Sequence, residues 1–150
     1  MELGNGSAVV QAGGGRQFWT GRSIAQVKLE AATPTTFEMF EGVQPPGVPG
    51  PPPHVHREYD EAWYVLSGRM QFELSGEVHQ CEAGAVVFAL RGTAHTFTNP
   101  GPESARMLAV VSAGALALIE ALGQLASDGP PEPTAVAELL ARHNSFVVGP

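Results

Sequence analysis

Between Gln17 and Val111 the chain is a succession of short alternating runs broken by Gly and Pro, and this pattern leaves few folds open. Ile24 to Glu30 places Ile24, Gln26, Lys28 and Glu30 on one side and Ala25, Val27 and Leu29 on the other. Thr36 to Val43 places Phe37, Met39 and Glu41 opposite Glu38, Phe40 and Gly42. Further strand-like runs are Ala62 to Leu66, Met70 to Leu74, Glu77 to Gln80, Ala85 to Leu90, His95 to Asn99 and Arg106 to Val111. Turn signals separate them at Ser67-Gly68, Ser75-Gly76, Arg91-Gly92-Thr93 and Asn99-Pro100-Gly101-Pro102. About ten short strands with no helix between them predict an all-β antiparallel barrel or sandwich.

The tail changes character. Ala115 to Leu125 and Thr134 to His143 have helical periodicity, with Asp128-Gly129-Pro130-Pro131 between them and Thr134 as the expected N-cap. The length of 150 residues suits one domain. The expected organisation is a flexible Gly-rich arm over 1–15, a barrel over 16–112 and a helical extension over 113–150 that packs outside the barrel or across one mouth.

Composition excludes several partners. Eight Lys and Arg against fifteen Asp and Glu, a net charge of −7, argue against a surface that tracks phosphates, so no nucleic acid is expected. The apolar stretch from Met107 to Ile119 lies between Arg106 and Glu120 and is too short to cross a bilayer. It reads as a strand running into a buried helix, and no membrane partner is expected. The N-terminus lacks the basic and apolar regions of a signal peptide, and Cys81 has no second cysteine to pair with. A soluble cytoplasmic protein is the expectation.

The chemistry concentrates in four residues. His54 and His56 are two apart, so on a strand both imidazoles face the same way. Such a pair alone also fits a coincidence at a surface or in a core. Glu61 follows past a short bend and can bring a carboxylate oxygen to the same point. His95, after the Gly92 turn, could add a third nitrogen. Three nitrogens and one oxygen suit Fe, Mn, Ni, Co, Cu or Zn and do not suit Ca or Mg. His79 and His143 fit no such constellation, and Glu58 and Asp60 read as surface charges. The proline-rich passage Gln44 to Pro53 reads as a stiff loop leading into His54, although in isolation it also suits a polyproline ligand.

The spacing is more specific than the residue types. His54-Val55-His56, four residues, Glu61, six residues and Gly68 form one motif. Gly84, five residues, Leu90-Arg91-Gly92, two residues, His95, three residues and Asn99 form a second, with fifteen residues between Gly68 and Gly84. In these motifs the sequence resembles the cupin superfamily over roughly residues 36 to 111. It departs from the family pattern at Val48, where a Gly is usual, and at Leu90, where a Pro is usual. The resemblance implies a jelly-roll barrel, one divalent metal at His54, His56, Glu61 and His95, and a homodimer. The Asp60-to-Leu66 segment and the tail Phe146-Val147-Val148-Gly149-Pro150 are similar to small bacterial cupins of the quercetin dioxygenase-like kind.

Alternation extends the site. With Glu61 facing inward, Trp63 and Val65 face inward too; with His95 inward, so does Phe97. Phe37, Met39, Phe72, Phe88 and Met107 are candidates for the same apolar lining, or for ordinary barrel core. The function expected is dioxygenation of a small aromatic, polyphenol or enol substrate, with Glu61 as the catalytic base and dioxygen as second partner. A non-redox polyketide cyclase or isomerase, and a non-catalytic small-ligand-binding barrel, stand as alternatives.

Overall fold

A computed structural model of the chain describes residues 8–30 and 36–149. The strands are β1 (Gln17–Thr20), β2 (Ser23–Leu29), β3 (Phe37–Gln44), β4 (His54–His56), β5 (Glu61–Ser67), β6 (Arg69–Leu74), β7 (Glu77–Glu82), β8 (Val86–Ala89), β9 (His95–Thr98) and β10 (Ala105–Ser112). Helices α1 (Ala115–Leu125) and α2 (Pro133–Arg142) follow, and strand β11 (Ser145–Val147) comes last. All strand pairs are antiparallel. One sheet runs β1-β2-β3-β10-β5-β8 and the other β11-β4-β9-β6-β7. Together they make a jelly-roll barrel with two C-terminal helices.

The period of two in the sequence becomes the inside and outside of the barrel. In β5 Glu61, Trp63 and Val65 point in, while Tyr64 and Leu66 point out. In β10 Ala105, Met107, Ala109 and Val111 point in. Between the sheets Phe72, Met70 and Val65 are fully buried. Burying a side chain of this class is worth roughly 1.5–3 kcal/mol.

Three positions expected in the lining face the other way. On β3 the inner residues are Glu38, Phe40, Gly42 and Gln44, so Phe37 and Met39 lie on the outer face. Both faces of this strand carry apolar residues, and periodicity alone does not choose between them. On β8 Val87 and Ala89 point in, and Phe88, paired with Ala62, points out at 61% exposure.

Glu38 has a different task. Its buried Oε2 accepts hydrogen bonds from the backbone N–H groups of Gly114 (3.0 Å) and Leu116 (2.8 Å). It thereby caps α1, whose own N-cap, Gly114, has no side-chain acceptor. Helix α1 then lies against β1, and a β-carbon at Gly123 would run into the Trp19 carbonyl. Helix α2 starts at Pro133 with Glu132 as its cap, so Thr134 lies inside the helix. The fixed φ of Pro suits the first helical position, and this moves the cap two residues earlier than the Thr signal suggests.

Of the Gly-rich arm, residues 1–7 lie outside the described residues, as does Pro150 of the tail. Residues 11–14 form a turn closed by the Gly14 N–H on the Gln11 carbonyl, and the Lys28 ammonium donates to the Gly14 carbonyl. No helix among the described residues is long and apolar enough to cross a membrane.

Candidate metal centre

The four residues singled out in the sequence come together. His54 and His56 are the ends of β4, and His95, which opens β9, pairs directly with His54. Glu61 opens β5 in the other sheet. Each offers one ligand atom, and these atoms lie within 4.8 Å of one another. All four side chains are buried, from 3% to 7% exposed. The His54 and His56 Nε2 atoms are 3.0 Å apart. Glu61 Oε2 is 2.9 Å from His95 Nε2 and 3.6 Å from His56 Nε2.

The outer nitrogens settle which face each ring presents. His54 Nδ1 lies 2.9 Å from the Pro52 carbonyl and His95 Nδ1 lies 3.0 Å from the Thr93 carbonyl. A carbonyl only accepts, so both Nδ1 atoms carry the proton. His56 Nδ1 lies 2.7 Å from Ser145 Oγ. That hydroxyl donates to the His143 carbonyl, so it accepts from His56. All three rings therefore turn their Nε2 atoms toward one point, and two bare acceptors face each other with a carboxylate beside them.

Electrostatics point the same way. Burial, and then the neighbouring His95 and His56, push the His54 imidazolium down to about 4. Burial also works against the His95 imidazolium, but the Glu61 carboxylate outweighs it and raises the group. Burial favours the neutral form of Glu61, yet the facing His56 and His95 prevail and hold it far below the usual carboxylate range. Convergent Nε2 atoms and an ionised carboxylate in a buried space call for a cation. The cluster could hold one metal ion, and its donor set fits the borderline divalent metals.

Neighbouring segments fix these ligands. The Gly92 N–H donates to the His56 carbonyl, which ties the turn before His95 to β4. Asp60 is a surface charge paired with Arg91: it accepts from the Arg91 backbone N–H (2.7 Å) and from the Arg91 guanidinium Nε (3.0 Å). That pairing holds the Asp60 carboxyl down at about 2. His79 lies at the surface, 3.9 Å from the Glu77 carboxylate and away from the cluster.

Of the expected lining, Trp63, Val65, Phe72 and Met107 are buried in the barrel and Phe97 is half-buried against it. The Trp63 ring is 5.5 Å from His95, 5.4 Å from Phe72 and 6.1 Å from Phe97. Tyr59, which sequence reasoning passed over, stands 5.6 Å from the His56 ring and packs against both the barrel core and the core between the helices. Ser145 was passed over as well: it lies 89 residues from its histidine, and no local pattern links the two.

Comparison with known proteins places the fold. Residues 40–111 match the family model described as a cupin domain. No curated protein matches the sequence. A predicted oxalate decarboxylase from Thermotoga maritima superposes with a TM-score of 0.61 at 23% identity, over 71% of this chain and 99% of that one. An uncharacterised double-stranded β-helix protein from Klebsiella pneumoniae gives 0.54 at 29% identity, over 63% and 79%. KdgF from Halomonas sp. gives 0.54 at 23% identity, over 60% and 77%. With both motifs in place on a jelly-roll barrel, residues 40–111 form a cupin domain.

Proposed function

We propose that this cupin is a metal-dependent dioxygenase acting on a small, uncharged aromatic, polyphenol or enol substrate at the His54–His56–Glu61–His95 centre. The observation that carries this reading is the lining. The Trp63 ring stands 5.5 Å from His95 with Phe72 and Phe97 packed against it, and none of the chain's eight Lys and Arg is buried. A phosphate or a dicarboxylate would meet no cationic side chain inside the barrel, whereas an aromatic enol would meet apolar and aromatic side chains.

A bound Fe, Mn, Ni, Co, Cu or Zn ion would supply Lewis acidity and, where redox-active, a route for electrons to dioxygen. The protein supplies the rest. His54, His56 and His95 would hold the ion through Nε2. Glu61, ionised and buried, is the base that accepts the substrate's hydroxyl proton. Trp63, Val65, Phe72, Phe97 and Met107 exclude water and orient the ring.

The same ionised Glu61 could move a proton without any oxygen chemistry, which supports a non-redox cyclase or isomerase as second reading. The test is turnover of polyphenols by protein of measured metal content, in air and under nitrogen. Oxygen uptake matched to product is the expected result. Equal turnover under nitrogen moves the protein to the second reading. Binding without turnover by fully metallated protein makes it a ligand-binding cupin.

Assembly follows from the outer face. Phe37, Tyr64, Leu66, Val86 and Phe88 are exposed on the six-stranded sheet, and β8 is its edge. A second copy related by a twofold axis would cover this apolar face and the open edge together. The expected mass in light scattering is that of a homodimer, and Phe88→Glu should give a monomer that keeps its fold by circular dichroism. A wild-type monomer at tens of micromolar would exclude this assembly.

A further inference from the structure

The three histidines are not held alike. His54 and His95 each give their Nδ1–H to a backbone carbonyl two residues upstream, at Pro52 and Thr93. Those partners belong to the ligand's own segment, and no side-chain substitution removes them. His56 depends on a side chain, the hydroxyl of Ser145, brought from the far end of the chain.

That hydroxyl is well placed for the task. Ser145 is 2% exposed and stands directly across from His56 in the β4–β11 ladder. Its own proton goes to the His143 carbonyl, so its oxygen can only accept from the imidazole. Strand β11 is stapled at both ends. The Arg57 N–H donates to the Asn144 carbonyl (3.0 Å), and the Val148 N–H donates to the Pro53 carbonyl (2.8 Å). Behind it, Leu139 and Leu140 of α2 pack with Leu118 of α1. None of this tail lies within the residues matched by the cupin domain, 40–111.

From this we infer that Ser145 is a positioning residue for the metal ligand His56, and that the docked C-terminal strand is part of the metal centre. The inference rests on the metal reading above. Without the Ser145 oxygen, the His56 Nδ1–H is buried with no acceptor. The ring can then turn, or shift its proton to Nε2, and the nitrogen is lost to the metal in either case. Loss of an outer partner of this kind typically weakens metal binding about 10- to 100-fold.

Cobalt titration of the full chain provides the test, with dissociation constants and visible ligand-field spectra measured for wild type and for Ser145→Ala, Ser145→Cys and Ser145→Thr. Thermal melting of the metal-free forms runs alongside. Affinity should fall in the order Ser and Thr, then Cys, then Ala, since a thiol is a weak acceptor and a methyl is none. The Ala spectrum should depart from wild type, and metal-free melting should fall by several degrees at most. Wild-type affinity and spectrum in Ser145→Ala overturn the proposal, even if the metal-free protein is destabilised. If Ser145→Ala does not fold, the Cys and Thr forms decide: a Cys form that binds as tightly as Thr overturns it. A wild-type protein that takes up no cobalt overturns the metal reading itself and this proposal with it.

Discussion

Glu61→Gln should lower turnover by roughly 100-fold or more, the range that loss of a general base produces. The substitution preserves volume and one coordinating oxygen but removes the charge and the basic site. Glu61 is ionised because the Nε2 sides of His95 and His56 face its carboxylate in a buried space. An amide in its place leaves three imidazoles to hold a dication, so affinity should fall as well. The measurement is kcat on metal-saturated variant, with metal content by elemental analysis. Saturating metal restores a ligand but not a base. If metal loss is the whole effect, added metal will rescue turnover. Full turnover in a variant that keeps its metal refutes the assignment of Glu61 as base.

The second large effect is on stability. An ion that binds only the folded protein stabilises it by about 4 kcal/mol when present at a thousand times its dissociation constant. For a domain of this size each kcal/mol moves Tm by about 2–4 °C, so removing a tightly held ion should lower Tm by roughly 10 °C. The packing explains why the loss would be felt: His54 and His56 turn two acceptor nitrogens toward each other at 3.0 Å beside a buried carboxylate. Calorimetry before and after chelation, and again after the metal is restored, measures this. An unchanged Tm in protein shown to have lost its metal would mean that the four residues do not hold the ion in the folded state.

How much of this was legible in the sequence depended on the range over which each feature is encoded. The four-residue cluster was legible because each member sits next to its own local signal. His54 and His56 share a strand face, Glu61 begins an alternating run, and His95 follows the Gly92 turn, where φ is +87°. The barrel was legible for the same reason, since alternation and turn residues recur along the chain. Phe37, Met39 and Phe88 were not, because an apolar outer face is indistinguishable from an apolar inner one until the sheets are assembled. Glu38 looked like the polar side of a strand, and only the arrival of α1, 76 residues later, makes it an inward cap. Strand β11 is three residues long, too short for any period to register, and its place is decided by pairing with β4. Pro133 overrode the Thr134 cap by a local rule that the helical pattern concealed.

The centre is divided between the two layers of the barrel. Three imidazoles come from strands of the five-stranded sheet and the carboxylate from the six-stranded one. The imidazoles are neighbours along and across one hydrogen-bonded ladder, so they move as a group. Glu61 reaches them across the interior. Any breathing of the barrel that parts its layers lengthens the contacts of the carboxylate while the nitrogens keep their mutual spacing. The one carboxylate of the cluster is thus the group whose distance to the other three residues is set by how the two sheets pack together.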